Sequence, residues 1–278
     1  MFLSGINIYP IKSLRGISLN EAKTERRGLE FDRRWMLIDE NNRFLTQREF
    51  SKMATLNVEV LERCLEISIA DENLIVPFEI ENKNNSGRVT IWQSKCKAEI
   101  YDKSINDWFS GILQTNCRLV RMPEETHRKV NYFYAVQKDD HVSFADGYPF
   151  LLIGESSLED LNSRLEKPLP MNRFRPNLVV SGAEAFEEDS WKTINIGDSI
   201  FHVVKPCARC VITTIEQNTG EKQGVEPLKT LSSFRIPKRN SMKKILFGQN
   251  LIAEKAGETI KVGDKIEVLE TKRMLNFG

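Results

Sequence analysis

The sequence lacks long apolar runs, an excess of charge of one sign, and an even set of cysteines. Its 278 residues include 40 Lys+Arg and 39 Asp+Glu, and the net charge of +1 gives no strong field for a polyanion. We therefore expect no nucleic-acid partner, and any anion site must be local. No stretch approaches the ~18 apolar residues of a membrane-spanning helix, and the first residues carry no export signal. The expectation is a cytoplasmic protein without a membrane partner.

Other absences limit the cofactors and the fold. The five cysteines are an odd number in a chain without an export signal, which favours free thiols over a disulfide framework. The chain has no Gly-x-Gly-x-x-Gly fingerprint for a dinucleotide and no multi-cysteine pattern for an iron–sulfur cluster. It also has no internal repeat of roughly 20 to 50 residues, which excludes solenoids and propellers.

Short apolar or alternating segments dominate the chain and predict strands. They lie at 6–11, 34–38, 57–61, 64–69, 150–153, 178–181, 200–204, 211–215 and 258–269. A turn at Gly263 and Asp264 divides the last of them. Helices are predicted at 104–114 and, from a Ser156-x-x-Glu159 capping box, over the residues before Pro168. Two β-dominated halves with few helices favour sheets or barrels over a doubly wound α/β sheet.

The length allows two domains. A polar stretch without periodicity at 123–142 predicts a linker or a mobile loop over a site, and we place the boundary near it. The predicted domains are therefore 1–120 and 121–272, followed by a short tail at 273–278.

The segment Cys207-Ala-Arg-Cys210, between two predicted strands, is the sharpest local motif, and four interpretations are open. Half of a zinc site would need a second Cys or His pair, but the three histidines are scattered singly. A redox dithiol usually begins a helix, where the dipole lowers a thiol pKa. One thiolate can instead ligate a metal held mainly by other groups, with Arg209 favouring the ionised form. The fourth interpretation is two buried cysteines that act as small apolar side chains.

Cationic side chains lie near three predicted strands. Lys12 and Ser13 follow the first, and two arginines starting at Arg33 begin another. Arg175 precedes Pro176, which is expected to hold it extended, so that its guanidinium suits bidentate anion recognition. Each feature alone is typical of a solvated strand end. Together with the cysteine loop, they are candidates for a site that binds an anion carrying a metal.

Seven motifs, in the same order along the chain, resemble the MOSC superfamily. They resemble in particular its branch of mitochondrial amidoxime reducing components and their bacterial relatives. The motifs are INIYPIKSLRG, DRRWMLID with FLTQRE, SFADGYPFLLIGESSLEDLNSRL, MNRFRPNLVVSG with EDSW, CARCVITTI, LFGQN, and IKVGDKIEVL. The likeness extends from about Ile6 to Leu269.

The resemblance implies an α+β, β-dominated fold, in which a β-rich MOSC N-terminal domain packs on a β-barrel-like MOSC domain with a few short helices. It implies a molybdenum cofactor (Mo-molybdopterin) between the two domains, with Cys210 as the metal ligand and catalytic residue and Cys207 in a structural role. Gly147 stands where mitochondrial relatives have a hydroxyl residue, so at most its backbone contributes. The other cofactor contacts that the resemblance implies are Lys12, Ser13, Arg33, Asp146, Arg175, Ala208, Arg209 and Asn250.

The activity implied by the resemblance is a two-electron reduction of N-hydroxylated compounds, such as amidoximes and hydroxylamines. Electrons are expected from a separate reductase or electron carrier, because the chain has no dinucleotide or iron–sulfur motif. The basic stretch 235–244 is either a docking site for an acidic carrier or an ordinary solvated loop. Two alternatives remain: a sulfur carrier that holds a persulfide on Cys210, and a protein that only carries the cofactor.

Overall fold

The computed structural model describes residues 1–80, 85–238 and 243–277. These residues form eighteen strands, three α-helices and four short 3₁₀ helices. The strands are β1 (Phe2–Ile8), β2 (Ile17–Leu19), β3 (Glu21–Glu25), β4 (Gly28–Leu29), β5 (Trp35–Ile38), β6 (Asn57–Val60), β7 (Cys64–Ile69), β8 (Glu72–Pro77), β9 (Ser86–Ile91), β10 (Ser94–Ile100), β11 (Arg118–Arg121), β12 (Phe150–Gly154), β13 (Leu178–Ser181), β14 (Trp191–Ile196), β15 (Ser199–Ala208), β16 (Leu246–Ala253), β17 (Thr259–Lys261) and β18 (Ile266–Thr271). The α-helices are α1 (Lys103–Leu113), α2 (Glu155–Ser163) and α3 (Leu228–Phe234), and the 3₁₀ helices are Ser51–Thr55, Met171–Arg173, Glu187–Asp189 and Val211–Thr214.

The largest sheet joins strands from both ends of the chain, in the order β18-β14-β15-β16-β12-β13-β1-β2. β1 lies antiparallel to β13, with Ile6 opposite Leu178. β3 pairs with β17 in a smaller sheet. Hydrogen-bonded strands therefore cross the boundary predicted near residue 120, and that boundary stays a prediction.

The first half also forms two sheets of its own, β5-β11-β10-β9 and β6-β7-β8. Helix α1 packs its apolar face, with Ile105, Phe109 and Ile112, onto the core between these sheets. Burying one apolar stripe on a sheet is the usual way that such a helix is stabilised. The predicted α+β, β-dominated class with few helices is confirmed.

Two local predictions are wrong. The segment Val211–Thr214 is a 3₁₀ helix and not a strand. The hydroxyls of Thr213 and Thr214 donate to the carbonyls three residues earlier, at 2.9 and 2.8 Å, and these bonds stabilise a turn. The Ser156 capping box is also absent, because α2 begins at Glu155 and the Ser156 hydroxyl donates to Ala183 O at 2.7 Å.

Arg235 is not a surface cation, contrary to the docking hypothesis for the stretch 235–244. It is 3% exposed, and its guanidinium pairs with Asp189 at 2.7 Å. Residues 239–242 of this stretch lie outside the described residues. No helix among the described residues has the length and apolar character needed to cross a membrane.

Candidate cofactor site

One cleft brings together residues from widely separated parts of the chain. It lies beside the C-terminal end of β15, with walls from the turn after β1, the residues before β5 and β12, and the segment before β13. All ten site residues implied by the resemblance line it: Lys12, Ser13, Arg33, Asp146, Gly147, Arg175, Ala208, Arg209, Cys210 and Asn250. The structure thus places them together, while their individual roles stay predictions.

The cleft has a large excess of positive charge. Asp146 is the one acidic side chain among its lining residues. Six lining side chains are cationic: Lys12, Arg33, Arg48, Arg173, Arg175 and Arg209. Since buried cations normally require partners of opposite charge, this imbalance favours an anionic ligand.

Two guanidiniums lie against the ring of Tyr9. The Cζ atoms of Arg33 and Arg175 are each 4.2 Å from its centroid. Arg33 also donates to both carboxylate oxygens of the buried Asp32, at 2.8 and 2.6 Å. Arg175 donates to Leu14 O at 2.7 Å, and burial lowers its pKa to about 10, so it stays a cation at neutral pH. Stacking and hydrogen bonding thus fix both cations in the wall of the cleft.

Three of these residues have left-handed backbone conformations. The φ angles of Ser13, Arg33 and Arg175 are 69°, 50° and 55°, in a region that residues other than glycine rarely adopt. The prediction that Pro176 holds Arg175 extended is therefore wrong. A turn after the 3₁₀ helix sets the conformation, because Arg175 N donates to Asn172 O at 3.2 Å. Strained backbone of this kind is concentrated at functional sites.

Lys12 and Asp146, which both line the cleft, form an ion pair. Burial lowers the pKa of the Lys12 ammonium, and the carboxylate of Asp146 partly offsets this effect. Desolvation by the surrounding protein alone would raise the pKa of Asp146, but the charge and hydrogen bond of Lys12, with Arg48 nearby, hold that pKa well below its usual range. Asp146 is thus ionised at neutral pH, and 57% of its side-chain surface is exposed.

Each thiol of the Cys-x-x-Cys segment accepts a hydrogen bond from a guanidinium. Arg48 Nη2 is 3.3 Å from Cys210 Sγ, and Arg209 Nη1 is 3.0 Å from Cys207 Sγ. Both cysteines are half-buried, so the interpretation as two buried apolar side chains is wrong. Among the described residues, no group of three or more His, Cys, Asp or Glu side chains is placed to hold a metal ion. A metal at Cys210 would therefore need ligands from a bound cofactor.

The remaining predicted residues complete the walls. Asn250 Nδ2 donates to Lys205 O at 3.1 Å, which directs the side chain along the cleft wall. Gly147 has open space where a Cβ would lie, because no described atom beyond its chain neighbours comes within 4 Å, so a larger residue would fit there. Ala208 is exposed at the end of β15.

Three further residues line the cleft without having been predicted as site residues from the sequence: Arg48, Arg173 and Asn177. The signal was present, because Arg48 lies in the FLTQRE motif and the other two lie in MNRFRPN. Arg173 is 1% exposed, and its Nη2 has no hydrogen-bond partner among the residues that the structure describes. Such an atom is costly unless a ligand or water satisfies it. This unpartnered donor, the cation excess and a soft thiol together fit an anionic cofactor that carries a metal.

The fold and the cleft define a β-rich protein with a cation-rich cleft beside a half-buried cysteine. Comparison with known families agrees with this class. Residues 1–116 match the MOSC N-terminal beta barrel domain, and residues 139–267 match the MOSC domain. The chain belongs to the MOSC family.

Curated relatives are similar over nearly the whole chain. Mitochondrial amidoxime-reducing component 1 of Mus musculus is 35% identical over 274 residues, which cover 94% of this chain and 80% of the relative. The Homo sapiens protein of the same name is 32% identical, with 94% and 81% covered. Molybdenum cofactor sulfurase of Oryza sativa is 30% identical over 93% of this chain, which spans 34% of that longer protein. These relatives support a MOSC function related to the molybdenum cofactor.

Proposed function

We propose that this protein is a molybdenum-cofactor-dependent oxidoreductase that reduces N-hydroxylated compounds. In the proposed reaction, an R–N–OH group takes up two electrons and two protons and becomes R–NH, with release of water. The observation that carries the proposal is the cation-rich cleft with the half-buried Cys210 at its side. The names of the amidoxime-reducing relatives support the substrate class.

The lining residues divide into two sets in this proposal. Arg33, Arg173 and Arg175 would bind the anionic groups of the cofactor, and Cys210 would ligate molybdenum. When bound, the cofactor supplies a two-electron redox centre with sulfur ligands, a chemistry that no side chain provides.

The side chains of the protein would bind and orient the cofactor. Tyr9 and Asp32 hold two guanidiniums in place before any ligand arrives, which reduces the cost of ordering them on binding. Asp146 is ionised at neutral pH, so it holds Lys12 and does not deliver a proton. The protons of the reaction are therefore assigned to solvent.

Electrons would come from a separate electron-transfer protein. The sequence has no dinucleotide fingerprint and no multi-cysteine iron–sulfur pattern. The proposed partners are thus a small N-hydroxylated substrate and a protein electron donor.

A specific observation also favours a second function, sulfur transfer through a persulfide on Cys210. The Cys210 thiol accepts a hydrogen bond of 3.3 Å from the Arg48 guanidinium and lines the cleft, where a small sulfur donor could reach it. The similarity to a molybdenum cofactor sulfurase supports the same alternative. This function requires sulfane sulfur on Cys210 and does not require stoichiometric molybdenum.

Metal content decides between the two functions. Molybdenum and zinc per chain are measured by elemental mass spectrometry in protein from a host that makes the cofactor, and benzamidoxime reduction is then assayed with a chemical reductant. We expect about one molybdenum per chain, and loss of both metal and activity in Cys210→Ala. Cys64→Ala is the matched control, because Cys64 is also half-buried but lies on β7, away from the cleft.

Either of two results would reject the reductase function. One is zinc in place of molybdenum, and the other is a Cys210→Ala protein that keeps both molybdenum and benzamidoxime reduction. Sulfane sulfur on Cys210 without molybdenum would support sulfur transfer instead.

A further inference from the structure

Arg48 links the first half of the chain to the cysteine in the second half. It lies in the loop between β5 and the 3₁₀ helix Ser51–Thr55, and its Nη2 is 3.3 Å from Cys210 Sγ. The two residues are 162 positions apart in the sequence. This contact therefore depends on the packing of the two halves and not on local chain geometry.

Several contacts hold the Arg48 guanidinium in this position. Its Cζ is 4.8 Å from the Trp92 ring centroid, and Nη2 is 4.0 Å from Asp146 Oδ2. The backbone is fixed as well, because Arg48 N donates to Thr46 Oγ1 at 3.1 Å. A long side chain held by a stacked ring, a carboxylate and a fixed backbone loses little further freedom when it donates a hydrogen bond.

Trp92 is itself held in an unfavourable conformation. It lies at the tip of the β9–β10 hairpin with φ 54°, where glycine or asparagine is usual. Its indole packs against Phe44, with ring centroids 5.1 Å apart, yet the side chain is 51% exposed. Strain in an exposed aromatic residue that contacts a cleft arginine indicates a role for that contact.

A cationic donor at a metal-ligating sulfur has a defined chemical effect. Hydrogen bonds to sulfur ligands and nearby charges tune the reduction potential of the metal. Reduction adds negative charge to the metal and its ligands. A guanidinium beside the sulfur therefore stabilises the reduced state more than the oxidised state, which raises the potential.

We propose that Arg48, held by Trp92, is a positioning residue that orients the Cys210 sulfur and raises the reduction potential of a metal bound to it. This inference rests on the proposed cofactor site. It does not depend on which substrate is reduced.

The test is a redox titration of the molybdenum-loaded protein, with dithionite as the electron source through mediators. The sulfur-to-metal absorption is recorded alongside. Arg48→Gln keeps an amide donor but loses the charge, so we expect a lower potential and a shifted absorption band. Arg48→Lys keeps the charge without the planar fork, so we expect a smaller shift in potential. Arg118→Gln is the control, since Arg118 donates to Asp39 O and Asn42 Oδ1 in the first half and does not line the cleft.

A second pair of variants leaves Arg48 in place, in case replacing Arg48 prevents the protein from binding molybdenum. Trp92→Ala removes the stacked ring and is expected to lower the potential, whereas Trp92→Phe keeps a ring and is expected to retain most of the original value. An unchanged potential and absorption in both Arg48→Gln and Trp92→Ala would overturn the inference. If metal content or thermal stability alone fell, Arg48 would be a cofactor anchor or a structural residue.

The titration separates this inference from the proposed function. The potential is measured without substrate, so a loaded protein that reduces no N-hydroxylated compound would reject the reductase function and leave the role of Arg48 intact. A chain that binds no molybdenum would reject both.

Discussion

Gln249 and Asn250 are neighbours on strand β16, yet their side chains enter two different polar environments. Gln249 is fully buried and donates at 2.6 Å to Asp189, which pairs with Arg235 at 2.7 Å. Asn250 lines the cleft, where six cationic side chains have two carboxylates beside them, that of Asp146 and that of the buried Asp32, which pairs with Arg33. On one face of the strand the charges are matched within the protein, and on the other they are not.

This difference separates a structural role from a binding role. An isolated charge is costly to bury. Asp189 and Arg235 compensate each other's charge, so this pair needs no ligand. The cleft keeps cations that folding alone does not require, and an anionic ligand would supply the missing charge. We therefore expect substitutions at the Asp189–Arg235 pair to change the stability of the metal-free chain, and substitutions in the cleft to change anion binding.

The largest effect on the stability of the metal-free chain is expected from Arg235→Met. Both side chains of the pair are about 5% exposed or less, so removing the cation leaves Asp189 buried and unpaired. Breaking a buried pair in this way costs about 3–5 kcal/mol. The measurement is the free energy of unfolding in urea.

Two comparisons sharpen that result. Asp189→Asn combined with Arg235→Met removes both charges and is expected to recover part of the loss. Lys192→Met breaks an exposed pair with Glu270, and an exposed pair is worth at most about 1 kcal/mol. An Arg235→Met cost as small as that of Lys192→Met would show that the pair is not structural.

The sequence predicted the strands better than their arrangement. Apolar alternation is local, so segments such as Leu178–Ser181 and Cys64–Ile69 were correctly assigned as strands. Sheet order depends on contacts between distant segments, and no local pattern indicates that β1 pairs with β13. Side-chain hydroxyls also overrode β propensity, as in the turn stabilised by Thr213 and Thr214.

The candidate site was predictable only through the family resemblance. Residues as distant as Lys12 and Asn250 line one cleft, and spacing alone cannot show that they converge. The unpartnered nitrogen of Arg173 and the contact of Arg48 with Cys210 require coordinates. The left-handed Arg175 shows that a turn can outweigh the usual effect of a following proline.

A smaller effect is expected from adding an anion to the metal-free chain. Pyrophosphate, which carries no metal, would supply negative charge to the cleft. At ten times its Kd, a ligand of the folded state adds about 1.4 kcal/mol, which corresponds to roughly 3 °C in Tm. Arg235→Met should leave this increment unchanged, because Arg235 lies in the other environment. The measurement is Tm against pyrophosphate concentration.

Two lysine variants locate the anion. Lys12→Met removes a cation of the cleft and is expected to reduce the increment. Lys97→Met removes an exposed lysine that pairs with Glu125 at 3.6 Å and is expected to leave it unchanged. If pyrophosphate raised the Tm of both variants equally, the anion would bind outside the cleft. The proposed difference between the two faces of β16 would then be wrong.

The smallest effect is expected at Glu188, which precedes the paired Asp189 and is itself almost fully buried. Burial raises the pKa of Glu188, although its carboxylate accepts hydrogen bonds from Ser157 Oγ at 2.8 Å. Because the folded state then binds the proton more tightly than the unfolded state, this group loses stabilising effect as the pH rises from the unfolded pKa through the raised folded pKa.

Glu188→Gln removes the charge and keeps an oxygen to accept the Ser157 hydrogen bond. We expect a gain of less than about 1 kcal/mol at neutral pH, because only one hydrogen-bonded group changes its charge. The difference in unfolding free energy between variant and unaltered chain should grow from acidic to neutral pH and then level off. A difference that shrinks as the pH rises would mean that folding lowers the pKa of Glu188 and that the surrounding groups compensate its charge, so the expected direction would be wrong.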